Sequence, residues 1–176
     1  MAARTGTRRE EAKAETRRRI LDAAYQLFEA KGYQKTTMRE LAAVAGVGLG
    51  TIFQHFPDKG FLLVEAFETD VAVVIQAAVA SLPPADIRAQ LLHITRALYG
   101  CYATRPRLSL QIIGEVFQTE GAAAAKLRGQ VTAFIIMIAG LFEAAKARGE
   151  IASHVDDGDA ALGFWSYYLM CLGKGL

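Results

Sequence analysis

Gln54 is the side chain in this sequence best suited to reading another molecule. Its carboxamide sets a donor beside an acceptor, the pair that matches the N6 and N7 edge of adenine in the DNA major groove. It lies in the stretch Leu49–His55, where Ile52 and Phe56, four residues apart, take the inward face of a helix of about two turns. That leaves Gly48, Leu49, Gly50, Thr51, Phe53, Gln54 and His55 on the outer side. Leu49 has the apolar surface to touch a thymine methyl, and Gly50, lacking a Cβ, lets backbone come close to a duplex. Reactive chemistry has no comparable grouping. His55, His93 and His154 stand far apart, and no HExxH, Gly-rich phosphate loop or GxSxG occurs. Cys101 and Cys171 sit in apolar surroundings without a CxxC partner, which reads as reduced core thiols in a cytoplasmic protein. No catalytic residue, metal ligand or cofactor is therefore expected.

Two short helices must position this outer face. Thr37-Met38-Arg39-Glu40 has the form of a capping box, and Leu41, Val44 and Ala45 behind it are spaced for one buried face. Gly46 stops the helix, because a glycine takes the left-handed turn without strain. Val47 can plug the corner, and Gly48 is an acceptable cap for the second helix. Pro57 ends that helix and Asp58 caps the next. Two short helices crossing at such a turn make a helix-turn-helix, whose second member commonly enters the major groove. Ahead of them, a helix from about Glu11 to Lys31 carries the stripe Ile20, Ala23, Ala24, Leu27 and Phe28, closed by Gly32 with Tyr33 packing back. Residues 1–15 read as a mobile basic arm. Arg4, Arg8, Arg9 and Lys13, continued by Arg17, Arg18 and Arg19, could meet phosphates, the alternative being a tail without fixed contacts.

From Thr16 to Leu63 the chain resembles the DNA-binding domain of the tetracycline-repressor (TetR) family. The resemblance implies phosphate contacts from Thr37, Thr51, His55 and Lys59, around Gln54 as the base reader. Two positions depart from the family pattern. Phe53 stands where the family usually has a tyrosine, so a phenolic phosphate contact is absent. Gly48 stands where it usually has a polar residue, often serine, so base specificity rests partly on DNA shape. The resemblance further implies a DNA-binding head over residues 1–60 and a module for effector binding and dimerisation over residues 61–176. Such a homodimer is a ligand-responsive regulator, in the repressor case binding a palindromic double-stranded operator until a small-molecule effector releases it.

The rest of the chain fits that division. Of 176 residues 52% are apolar, with four prolines and no alternating strand pattern, so the fold class expected is all-α. Residues 1–60 hold eleven Lys and Arg against seven Asp and Glu, a net of +4, and the remainder nine against eleven, −2; together these give the +2 of the whole chain. A basic head beside a mildly acidic remainder suits a nucleic-acid reader joined to a different module. The charged amino terminus and the lack of a charge-free apolar run of membrane length predict neither a signal peptide nor a membrane span. Helices are expected over about 58–81, 86–104, 106–119 and 121–148, and after Asp156-Asp157, with Gly173, Lys174 and Gly175 disrupting the last. The run Val71 to Val79 is nearly all apolar and predicts a helix buried on much of its circumference. His93, Arg96, Gln111 and Glu115 are polar residues in apolar helices. Each alone reads as packing or surface, as do Tyr99, Tyr102, Phe117, Phe134, Met137 and Trp165; together they suit a cavity for an apolar or aromatic small molecule. The run Phe164, Trp165, Tyr167, Tyr168 is too large for one small module to bury, which puts a dimer interface on the last two helices, residues about 121–172, with Trp165 and Leu169 as the positions to test for that face. The rival reading is an all-helical ligand-binding protein or enzyme with an incidental basic head. It requires a catalytic cluster that the sequence does not display.

Overall fold

The helix ends form where short polar side chains and glycines stand. The computed structural model describes residues 3–116 and 121–175, with backbone alone at 3–7, 113, 115, 116 and 173–175. Among the described residues there are eight helices and no strand: α1 (Ala3–Lys31), α2 (Met38–Ala45), α3 (Leu49–His55), α4 (Lys59–Ala80), α5 (Ile87–Thr104), α6 (Pro106–Val116), α7 (Gly121–Ala147) and α8 (Asp157–Gly175). The capping box closes as expected: Glu40 N–H donates to Thr37 Oγ1 at 3.3 Å, and Thr37 N–H donates to Glu40 Oε2 at 2.9 Å. Gly46 turns left-handed at φ 64°, the conformation that favours glycine, and a Cβ there would stand 2.7 Å from Arg19 Nη2, the mobile end of a long side chain. Asp58 accepts the Phe61 N–H at 2.7 Å and Asp86 the Ala89 N–H at 2.8 Å, starting α4 and α5.

Four expectations need correction. The segment expected as a mobile arm is helical from Ala3 and continuous with α1. Alanine, arginine and glutamate are strong helix formers, and no proline interrupts them. Val44 is exposed, and Ala42 takes its place beside Leu41 and Ala45 in the core. The apolar second half of α4 is not wrapped on all sides, since Ala72, Val73, Ala77 and Val79 are exposed. The backbone of α8 runs on through Gly173 and Lys174 to Gly175 without the break expected there.

Two core clusters divide the chain. One gathers Ile20, Ala24 and Phe28 of α1, Leu41 of α2, Ile52 of α3, Phe56, and Leu62, Leu63 and Val64 of α4. It also takes in Leu108 and Ile112 of α6 and Leu127 of α7. The other lies between α4, α5, α7 and α8 around Ile94, Leu98, Tyr102, Phe134, Ile138 and Tyr168. Phe67 packs against both. The clusters thus meet along α4 at Phe67. Helix α4 touches α1, α5, α6 and α7 and is the beam that joins head to bundle. By length and composition α7 alone among the described helices could cross a membrane, which the sequence reading did not anticipate. Here it packs on α8 and α4, with Phe134, Ile138 and Ala145 buried and with Lys126 and Lys146 ion-paired towards its two ends.

Candidate nucleic-acid interface and the cavity behind it

Helix α3 is seated by Ile52 and Phe56, both fully buried. Their burial turns Gly48, Leu49, Gly50, Phe53 and Gln54 to the surface, with Thr51 and His55 half-buried at its edges. A Cβ on Gly50 would meet nothing within 4 Å, so the protein's own packing does not demand a glycine there. Burial first, then the charges of Arg17 and Lys13, hold the His55 imidazole below its ordinary pKa. At neutral pH it therefore offers a neutral N–H rather than a cation. Thr37 is exposed at the start of α2, but its hydroxyl is already engaged: it accepts from Glu40 N–H and donates to Glu40 Oε2 at 2.8 Å. Hydrogen bonds from Lys31 and Thr37 bring the Glu40 carboxyl down to about 2. Beside Thr37, Arg39 is exposed, and no ion pair holds it among the described residues. It is a cation at the edge of this face that attention to α3 alone passed over.

Several cations expected at the DNA are engaged by groups of the protein itself. Arg19 donates to the carbonyls of Ala45 and Gly46 and so caps the carboxy end of α2. Arg17 pairs with Glu65 at 2.6 Å and lies over the Phe56 ring at 4.6 Å. Lys59 donates to the carbonyls of Tyr33 at 2.8 Å and Thr36 at 2.9 Å and sits over the Tyr33 ring at 4.3 Å. Burial lowers its pKa, and the carbonyls it serves are those of the turn between α1 and α2. In this state Lys59 holds that turn, with its charge at the foot of α4.

Behind the head lies a cavity of about 90 Å³ walled by five helices. Phe67, Val71 and Ile75 come from α4, Leu98 and Tyr102 from α5, and Ser109 and Ile112 from α6. Leu127, Gln130, Val131 and Phe134 come from α7, and Trp165, Tyr168, Leu169 and Leu172 from α8. Of the expected pocket residues, Tyr102, Phe134 and Trp165 are in this wall, and Met137 lines an adjoining groove of about 270 Å³ between α4 and α7. Tyr99 stands outside the wall and donates to the Tyr168 carbonyl at 3.3 Å. His93 and Arg96 are not in it either: His93 Nε2 meets Ser81 Oγ at 3.1 Å at the far end of α4, and Arg96 is exposed. Phe117 and the side chain of Glu115 lie outside the described residues. Trp165 and Leu169, the two candidates for a dimer face, line this interior. Sequence reasoning missed Gln130, Ser109 and Tyr168 in the wall. Gln130 carried a signal, being a lone carboxamide in an apolar helix.

Residues 20–66 match the model of the family described as bacterial regulatory proteins, tetR family. The HTH-type transcriptional repressor BepR of Brucella suis is 32% identical over 155 residues, 80% of this chain and 70% of BepR. The HTH-type transcriptional regulator AcrR of Shigella flexneri is 34% identical over 105 residues; there the match covers 56% of this chain and 48% of AcrR, so about half of that relative's length. Among solved structures, Thermus thermophilus FadR, described as a TetR family transcriptional repressor in complex with lauroyl-CoA, superposes with a TM-score of 0.76 at 23% identity, covering 90% of this chain and 81% of FadR. AibR, solved with isovaleryl coenzyme A and operator DNA, gives 0.63 at 20% identity, covering 92% and 87%. At these identities the two structures speak to the fold.

Proposed function

Because the chain belongs to the TetR family of bacterial regulatory proteins, we propose that it is a ligand-responsive transcriptional repressor, working as a homodimer in the cytoplasm and catalysing no reaction. Residues 1–60 carry the operator contacts and residues 61–176 the effector and dimer surfaces. Gln54 reads a base and Leu49 a thymine methyl, while Gly50 admits the backbone, flanked by Gly48 and Phe53. Thr37, Thr51, His55 and Lys59 meet phosphates. The predominantly apolar and aromatic wall of the cavity supports an apolar or aromatic small molecule as effector.

The observation that carries this reading is that Ile112 and Leu127 belong at once to the cavity wall and to the core of the head. A ligand that enlarges the cavity presses on residues that also pack the head. The start of α6 is fastened to α1 as well: Leu108 N–H donates to Glu29 Oε1 at 3.1 Å and Arg107 Nη1 to the Glu29 carbonyl at 3.3 Å. Arg105 pairs with Asp70 and lies 4.1 Å over the Tyr25 ring. Displacement of α6 therefore reaches α1 and α4 together. An effector with about 3 kcal/mol of differential affinity for the released state shifts the equilibrium roughly 150-fold.

For the dimer, the apolar residues left outside are Leu162, Tyr167 and Met170 on α8 and Ile136 on α7, the last 66% exposed. The two helices expected at the interface keep that role, with these side chains in place of Trp165 and Leu169. The test is a gel shift on fragmented genomic DNA at physiological salt. Retention of a few fragments that share a palindrome, each binding one dimer, is the expected result. Binding no tighter to any fragment than to random DNA would end this reading.

A further inference from the structure

Four residues line both the cavity and the groove beside it: Val71 and Ile75 of α4, and Gln130 and Phe134 of α7. They form the partition between the two spaces. Gln130 is the polar member, and its Nε2 is buried with no hydrogen-bond acceptor among the described residues. An amide donor left unpaired in an apolar wall is costly, because it loses its water and gains no partner. The other polar groups of the wall do not relieve it. Tyr168 donates to the Tyr102 hydroxyl at 2.6 Å, and Ser109 Oγ donates to the Tyr102 carbonyl at 3.2 Å. Tyr102, accepting from Tyr168, keeps its own O–H to donate. No charged side chain is in the wall. Burial pushes the Tyr102 phenol up to about 12 and raises Tyr168 as well, so both stay neutral. The cavity thus presents donors without charge.

We infer that the effector carries an uncharged hydrogen-bond acceptor, the carbonyl of an ester, thioester, ketone or amide, which Gln130 Nε2 receives at the partition. Its apolar chain fills the cavity beside Trp165 and Tyr168, and the group on the other side of the carbonyl lies in the groove between α4 and α7. This rests on the effector reading above and names the chemical class that the reading leaves open. A free carboxylate does not fit, since it would give up its water with no cation to replace it. A plain hydrocarbon fits the space but leaves Nε2 as it is.

Trp165 is the one tryptophan of the sequence and stands in the cavity wall, so its emission reports occupancy. The full chain is titrated with methyl octanoate, nonane and ionised octanoate. Methyl octanoate should bind about tenfold more tightly than either of the others, the effect of one net hydrogen bond. Gln130→Leu should abolish the preference for the ester over nonane, while melting no lower than the native chain, because leucine buries no orphan amide. If that variant does not fold, Gln130→Met makes the same test, and the ranking of the three probes on the native chain needs no variant. Equal binding of ester and nonane, binding of octanoate as tight as the ester, an ester preference that survives at position 130, or no response of Trp165 to any probe would each overturn the inference. Failure of the parent reading looks different. Ester bound through Gln130 without release of the operator would refute effector control and leave the carbonyl site standing.

Discussion

Lys59 and Gln54 lie five residues apart and are asked for different things. The ammonium of Lys59 rests on the carbonyls of Tyr33 and Thr36, so removing it leaves a turn of the head without its donor. Gln54 is exposed, and no packing depends on it. Lys59→Ala should therefore lower stability by about 1–2 kcal/mol and weaken operator and random DNA alike, with the salt slope reduced by about one per subunit. Gln54→Ala should leave the melting temperature alone and lose about 1–3 kcal/mol of discrimination at one base pair per half-site. Titration of both variants on operator, singly altered operator and random DNA at several salt concentrations checks the pair. A Gln54→Ala that weakens all three DNAs equally would move base reading to Leu49, Arg39 or DNA shape. Between these two residues lies the difference between holding a duplex and knowing which duplex is held.

The outer face of α8 carries Leu162, Tyr167 and Met170, and Tyr167 is 65% exposed. Tyr167→Glu combined with Met170→Glu should give monomers by sedimentation, with operator affinity falling sharply and no loss of helix content. Trp165→Glu should instead damage folding, because it puts a charge into the cavity wall. Intact dimers in the double variant would remove this face from the interface. Whether a residue on α8 faces in or out was not legible in the sequence, whereas the capped helix ends were. Thr37, Gly46, Asp58 and Asp86 mark boundaries by local chemistry that needs no partner. Which of Ala42 or Val44 is buried, or which aromatic of 164–168 faces inward, is settled by helices far away in the chain. Periodicity alone gives a stripe without an orientation. His93 and Arg96 looked like pocket residues because they are polar among apolar neighbours, yet their turns of α5 lie off the cavity wall. Gln130 met the same description and is in the wall.

Across the whole molecule, head and bundle meet at Glu65. This carboxylate on α4 takes Arg17 of α1 at 2.6 Å and Lys126 of α7 at 2.9 Å, and Lys126 also holds Glu68 at 2.6 Å. Burial pushes Glu65 up, but the hydrogen bonds from Lys126 and Arg17 outweigh it and leave its pKa below the ordinary carboxylate value. A depressed folded pKa means the unfolded chain takes up the proton first. The contribution is therefore complete above the ordinary carboxylate range and is lost as pH falls through the depressed value. Glu65→Gln should cost about 1–3 kcal/mol at neutral pH, and its stability should fall less on acidification than that of the native chain. Denaturant melts of both proteins across the acid range would show this, and parallel curves would mean that Glu65 does not set the acid limb. The shared core has a consequence of another kind. Leu108, Ile112 and Leu127 close the core of the head, yet all three lie beyond residue 66, where the match to the family model ends. A head transplanted onto a foreign bundle at that point would arrive without its lid, and its new host would have to supply three fitting side chains. On the regulator reading proposed above, an exchange of head or bundle must therefore re-match this seam.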